Sequence, residues 1–235
     1  MKNSLEVKEL MKKERRFNSI YTLKGSIEKL FGYLEAVSKV PFFVSFKENK
    51  KNVILKFYPV KKVVVSDNLF REYSCLDYNC SRCCWKKRDF NIYTTKQFEE
   101  LKNKYPNENL PGKKEIIFVN DKIFEFYVEE NINQYCRHLD DINNKCKIHT
   151  ANPIHCALPL IKFKQNKKTN TTHITREYFG RNWFMNCPVK FKPMTEEGFN
   201  TTIWMLSRVK DMADELNIPT YLPEVIEEVK MRWRK

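Results

Sequence analysis

The chain contains only five glycines among its 235 residues. Rossmann and P-loop sites need a glycine-rich turn between a strand and a helix, and the sequence has none. A nucleophile elbow and a His-Glu-x-x-His helix are missing as well. These absences argue against the common nucleotide-binding, serine hydrolase and zinc protease classes.

Long apolar runs are also absent. No stretch approaches the roughly 18 apolar residues that a membrane-spanning helix needs. The first eight residues carry charges that no apolar signal-peptide segment follows. We therefore expect a cytoplasmic protein, in a reducing compartment where cysteines serve as metal ligands or reactive thiols more often than as disulfides.

Positive charge is in excess, with 43 Lys and Arg against 29 Asp and Glu and a net charge of +14. Such an excess favours an anionic partner, either nucleic acid or an acidic protein surface. The contact candidates are Lys12, Lys13, Arg15, Arg16, Lys86, Lys87 and Arg88, with Trp85 placed to stack on a base. The alternative is that Trp85 covers a metal site and that the basic runs are solvated.

Eight cysteines fall into two groups, Cys75, Cys80, Cys83 and Cys84, then Cys136, Cys146, Cys156 and Cys187. A Cys-x-x-Cys step such as Cys80 to Cys83 lets two thiolates from one turn hold one metal ion. Four cysteines within ten residues are not explained by core packing. We therefore interpret the cysteines as metal ligands, although some of the eight can be buried thiols.

The kind of metal stays open, because tetrahedral zinc and a four-iron cluster both accept four thiolates. Eight cysteines fill two such sites, or one site with four cysteines left over. His138, His149 and His155 lie among the second group and are interpreted as residues that support the ligands. His173 is expected to be exposed on a polar strand.

The cysteine spacing resembles that of the CxxCxxCC cysteine-cluster family. These YkgJ-type domains are described as zinc- or iron-chelating, and the group includes the flagellin lysine-N-methylases. The resemblance covers about residues 73–190. It rests on Cys80-Ser81-Arg82-Cys83-Cys84, Cys136-Arg137-His138-Leu139, Cys146-Lys147-Ile148-His149 and Pro153-Ile154-His155-Cys156-Ala157-Leu158-Pro159.

The resemblance implies metal binding, by an iron–sulfur cluster (4Fe-4S) or by zinc. Asp77 stands where the family has its leading cysteine, so either Cys75 replaces that ligand through a longer loop or Asp77 supplies an oxygen. The resemblance also suggests a protein lysine N-methyltransferase that uses S-adenosylmethionine. A metal-stapled module that binds nucleic acid is the third hypothesis.

The residue patterns predict an α+β fold, with small antiparallel hairpins and helices packed around a cysteine-ligated metal centre. We divide the chain into a helical and hairpin region (1–70), a cysteine-cluster domain (71–192) and a helical segment packed on the same domain (193–235). Predicted strands are 42–46, 53–57, 63–65, 92–93, 115–119, 123–128 and 172–179, with hairpin loops at 47–52 and at Asn120-Asp121. Predicted helices lie within 1–38, from a cap at Thr94 or Thr95 to about Tyr105, from a cap at Thr195, and from about Pro223.

Overall fold

The computed structural model describes residues 22–72, 90–108, 110, 112–130, 138–140, 142–143, 145–148, 161–177 and 191–234. Within these ranges the protein is a mixed α+β fold with four α-helices and several antiparallel sheets. The α+β class predicted above is confirmed.

A five-stranded sheet forms the centre of the fold. Its strands are β1 (Phe42–Glu48), β2 (Lys51–Phe57), β5 (Phe90–Thr94), β6 (Lys113–Val119) and β7 (Lys122–Glu130), and their order across the sheet is β2-β1-β6-β7-β5. All neighbours are antiparallel. The two predicted hairpins are therefore parts of one larger sheet, because β1 pairs with β6.

Two tight turns close the hairpins of this sheet. Asn49 and Lys50 both have positive φ, 50° and 63°, and Asn120 and Asp121 have φ of 47° and 64°. Two consecutive residues with positive φ are typical of the two-residue turns that match strand twist. The Asn120-Asp121 turn was predicted, whereas the first loop is shorter than the predicted 47–52, because the strands continue to the turn itself.

A second sheet joins β3 (Lys62–Val65), β10 (Ile161–Asn166) and β11 (Thr171–Arg176) in the order β10-β11-β3. β3 runs parallel to β11, whereas β10 and β11 are antiparallel. β10 was not among the predicted strands. The predicted 63–65 strand exists, but it belongs to this second sheet.

Two short strand pairs complete the described β-structure. β4 (Arg71–Glu72) pairs with β12 (Lys192–Pro193), and β8 (Leu139–Asp140) pairs with β9 (Lys145–Cys146). A 3-10 turn at Asp67–Phe70 leads into β4.

The four helices are α1 (Leu23–Glu35), α2 (Thr95–Lys104), α3 (Glu196–Glu215) and α4 (Leu222–Trp233). Threonine side chains at positions 22, 94 and 195 accept backbone N–H groups at the starts of α1, α2 and α3. The predicted caps at Thr94 and Thr195 are therefore confirmed. α4 begins one residue before Pro223, which lies in its first turn.

The main core lies between one face of the five-stranded sheet and helices α1, α3 and α4. Phe31, Leu34, Val44, Leu206 and Leu222, which come from α1, β1, α3 and α4, are all fully buried there. Burial of this kind supplies most of the favourable free energy of folding. The core includes residues from both ends of the described chain, so the two ends fold together.

Candidate metal centre

Cys146 is the last residue of β9, which pairs with β8 in a short antiparallel hairpin. Leu139 pairs with Cys146 and Asp140 with Lys145. The backbone N–H of Lys147 donates to the carbonyl oxygen of His138 over 2.8 Å. These contacts hold the backbone of Cys146, and of the residue that follows it, against the opposite strand of the hairpin.

The turn of this hairpin is held by the carboxylate of Asp140. One oxygen accepts the backbone N–H groups of Ile142 at 3.1 Å and Asn143 at 3.2 Å, and the other accepts the Asn143 side-chain amide at 2.7 Å. The hydrogen bonds from Asn143 lower the pKa of Asp140. Asp140 is thus an anion that is used to build the turn.

A small hydrophobic cluster holds the hairpin against the sheet. Its buried members are Tyr93, Phe98, Leu101 and Ile148, and its partly buried members are Tyr105, Leu110, Tyr127 and Cys146. We call this set the Cys146 cluster. It lies on the sheet face opposite the main core, because neighbouring residues on a strand point to opposite faces and Ile92 belongs to the main core.

Helix α2 contributes Phe98 and Leu101 to this cluster. The Thr94 side chain accepts the N–H of Gln97 and the Gln97 side chain accepts the N–H of Thr94, a capping box that starts the helix at β5. The ring of Phe98 then stacks on Tyr127 with centroids 4.0 Å apart. Gly112 lies against Phe98, where an added Cβ would come within 3.2 Å of the ring.

His138 is buried, and its carbonyl oxygen accepts the N–H of Lys147, the residue that follows Cys146. Its role as a residue that supports a metal ligand stays a prediction. His173 is exposed on β11, as predicted.

Strand pairing joins the ends of the cysteine-bearing segments. Glu72, which precedes the first cysteine group, pairs with Lys192, which follows Cys187. Phe90, which follows the first group, pairs with Glu130, which precedes the second group. The fold therefore brings the flanks of the two cysteine groups side by side.

The segment that contains Cys156 is tethered in the same way. It ends at Ile161, which pairs with Arg176, and the segment that contains Cys187 begins just after Arg176. The Arg176 guanidinium donates to the Thr202 hydroxyl of α3 over 2.8 Å. This second pair of flanks is thereby fixed to α3.

Glu72 fastens the first pair of ends to α3. Its carboxylate accepts the backbone N–H of Thr195 at 2.8 Å and the Thr195 hydroxyl, and it forms an ion pair with Lys192 at 3.1 Å. Burial raises the pKa of Glu72, but the hydrogen bonds from Thr195 and Lys192 outweigh burial and lower it overall. An added Cβ at Gly198 would lie 2.1 Å from a Glu72 oxygen, so a glycine is needed there.

Helix α3 also contacts α2, which follows the first cysteine group. The guanidinium of Arg208 on α3 forms an ion pair with Glu100 on α2. One helix thus contacts β4, β11 and α2, the elements that flank these segments. The described elements that flank the cysteine-bearing segments are thus joined to one another, and we call them the frame.

Cys146 is the candidate ligand that the described residues include. Outside them lie Cys75, Cys80, Cys83, Cys84, Cys136, Cys156 and Cys187, and also Asp77, His149, His155, Trp85 and the basic residues 12, 13, 15, 16 and 86–88. Within the described ranges, no three Cys, His, Asp or Glu side chains come together as a metal-ion site. The metal centre therefore remains a prediction at this stage.

The structural roles of two residues were not predicted from the sequence. Glu72 joins β4 to α3, and Asp140 stabilises the turn of the Cys146 hairpin. Asp140 carries a usable signal, since Asp before a polar loop is typical of a turn. Glu72 carries none, because its partner Thr195 is distant in the chain.

None of the described helices is both long enough and apolar enough to span a bilayer. Comparisons of the chain with models of protein families, with curated proteins and with solved structures find no match.

Proposed function

We propose that the protein binds a metal centre through cysteine thiolates, either an iron–sulfur cluster or zinc. The observation that carries this proposal is the strand pairing that ties the ends of the cysteine-bearing segments to one another. Soft thiolate ligands are the donors that zinc and iron–sulfur clusters prefer. A frame that joins the flanks of segments rich in such donors supports the proposal of a metal site.

Chain length supports convergence of the thiols. Cys75 is three residues from Glu72 and Cys187 is five residues from Lys192. An extended chain reaches at most about 3.6 Å per residue. Cys75 is thus held within about 11 Å, and Cys187 within about 18 Å, of a pair of strands that are hydrogen-bonded to each other.

The first experiment is metal and acid-labile sulfide analysis, with an absorption spectrum, on protein purified without oxygen. Iron with sulfide and broad visible absorption identify an iron–sulfur cluster. Stoichiometric zinc in a colourless protein identifies a thiolate zinc site. The proposal is overturned if the protein is folded, contains neither iron nor zinc, and has cysteine thiols that all react with a thiol reagent.

A pair of variants then tests the place of Cys146. Cys146→Ser removes a thiolate and should lower metal content, whereas Leu139→Ala, at the paired position, removes only packing and should leave metal content unchanged. Full metal occupancy in Cys146→Ser removes Cys146 from the ligand set. The same comparison applies to Cys80 and Cys83.

The excess of positive charge supports a further part of the proposal, that the protein acts with an anionic partner. Titration of oligonucleotides and of acidic protein segments at increasing salt separates the two classes of partner.

A further inference from the structure

On the outer face of the five-stranded sheet, opposite the main core, the described elements cover about half of the width. Helix α2 packs Phe98 and Leu101 over β5 and the adjoining part of β7, where Tyr93 and Tyr127 form a cross-strand pair. Strands β2, β1, β6 and the start of β7 carry exposed side chains on this face. We call that uncovered part the bare half.

A row of side chains crosses the bare half from one strand to the next. Ile54 pairs with Ser45, Ser45 with Phe118, and Phe118 with Ile123. Their exposed fractions are 62% for Ile54, 38% for Phe118 and 66% for Ile123. The solvent face of an antiparallel sheet normally carries polar residues, so this row is unusual.

Ile116, next to Phe118 on the same face of β6, extends the apolar row and is 53% exposed. Single exposed apolar residues are common on protein surfaces, but a group of them on neighbouring strands is typical of interaction sites. Here Phe118 is paired with Ile123, and Ile54 lies on the other side of Ser45. The bare half therefore has the composition of a surface that another molecule covers.

Positive charge borders the apolar row. Lys56 lies two residues from Ile54, and Lys47 two residues from Ser45, so each points to the same face as its neighbour. Both lysines are exposed, and within the described part of the chain neither forms an ion pair. Glu125, the carboxylate beside Ile116, is already paired with Lys114.

The covered half of the same face shows what kind of element fits this surface. There a ten-residue amphipathic helix places two apolar side chains, three positions apart, over the strands. The apolar row of the bare half crosses four strands, a width of about 14 Å at the usual strand spacing. A helix of about three turns has an apolar stripe of similar length.

We propose that the bare half is a docking surface for an acidic amphipathic helix of a partner protein. The inference rests on the proposed anionic partner and is independent of the metal centre. Lys47 and Lys56 supply the charge complementarity, and the isoleucines receive the apolar stripe. The most exposed apolar side chains of the bare half, Ile54, Ile116 and Ile123, are aliphatic and offer no stacking platform for bases, which favours protein over nucleic acid. A second copy would place its own basic border against this one.

The test uses a synthetic helix as a probe. A labelled peptide of about 15 residues carries leucines along one stripe and glutamates elsewhere, a length at which isolated helices become marginally stable. A second peptide replaces every glutamate with lysine. Fluorescence anisotropy with the full-length protein should show binding of the glutamate peptide that weakens with salt, and no binding of the lysine peptide.

Matched variants place the binding on the bare half. Ile123→Glu should weaken binding of the glutamate peptide by roughly tenfold or more, since it adds a negative charge inside the apolar row. Met231→Glu is the control, because Met231 is similarly exposed at 58% but lies on α4. Lys56→Glu should also weaken binding. It serves as the second variant if Ile123→Glu lowers the thermal midpoint.

Four outcomes overturn the inference. Equal affinity for the two peptides would show that charge complementarity does not contribute to binding. An equal loss of peptide affinity in Ile123→Glu and Met231→Glu would show that the peptide does not bind to the bare half. A dimer in light scattering that Ile123→Glu abolishes assigns the face to a second copy. Oligonucleotide binding that Ile123→Glu abolishes, without peptide binding, assigns the face to nucleic acid. Unchanged metal content in Ile123→Glu separates all these results from the proposed metal centre.

Discussion

The main core and the Cys146 cluster lie on opposite faces of one sheet, and they differ in how they are built. The main core gathers fully buried side chains from three helices and two sheets, whereas the Cys146 cluster has four buried members and is closed by a short hairpin. The hairpin has only two residue pairs in its ladder. A hairpin this small is marginally stable unless other contacts hold it. The difference indicates that the frame folds on its own core, whereas the Cys146 hairpin depends on its packing in the Cys146 cluster. If the proposed metal binds Cys146, it adds a second constraint.

The largest expected effect is a deletion in the main core. Leu206→Ala removes a fully buried side chain on α3 and should lower the free energy of unfolding by about 3–5 kcal/mol. Urea denaturation followed by circular dichroism measures this value. Ile148→Ala, the equally buried comparator in the Cys146 cluster, should shift global unfolding less and open the hairpin locally. Equal global losses would mean that the two regions unfold as one unit.

Metal removal should act on one region only. A chelator applied under reducing conditions should speed amide hydrogen exchange at residues 145–148, because the hairpin loses its constraint. The amides of β1, β6 and α3 should stay protected, since the main core holds them. Hydrogen exchange with mass spectrometry resolves the two sets. Uniform loss of protection would show that the main core depends on the metal as well.

The smallest expected effect concerns Glu72, which joins β4 to α3. Because the folded state lowers the pKa of Glu72 below its ordinary value of 4.5, its carboxylate stabilises the fold at neutral pH. That stabilisation is lost as the pH falls through the lowered pKa. Glu72→Gln should therefore cost about 1–2 kcal/mol at neutral pH, and the stabilities of the two proteins should converge in acid, once the Glu72 carboxylate is protonated.

Glu224→Gln is the matched control. Its pKa is also lowered, by a hydrogen bond from Lys39, but its side chain is 59% exposed. Solvent screens such a pair, so this change should stay within about 0.5 kcal/mol. If the free energy of unfolding lost in Glu72→Gln does not depend on pH, then Glu72 contributes through its shape and not through its charge.

The elements that local signals specify were predictable. Asn120-Asp121 marks a tight turn, and Thr94 and Thr195 mark helix starts, because the side chains that cap these elements are close by in sequence. The alternation of Phe42, Val44 and Phe46 likewise predicts a half-buried strand.

Contacts between distant residues were not predictable. The pairing of Val44 with Val119, which merges two hairpins into one sheet, has no local signal. The parallel pairing of β3 with β11 is of the same kind. For the candidate site, the spacing of the cysteines was enough to propose them as metal ligands. The frame that joins their flanks could not be predicted, because it depends on such distant pairings as Glu72 with Lys192.

The pairing of Glu72 with Lys192 also bears on folding kinetics. These residues are 120 positions apart, and all eight cysteines lie between them. Closing a loop of that length costs roughly 4 kcal/mol of chain entropy in its length-dependent term, and contacts so distant in sequence slow folding. A metal that first ties cysteines from both groups would shorten the effective loop. We therefore expect the chain to reach its native topology faster when metal is present during refolding.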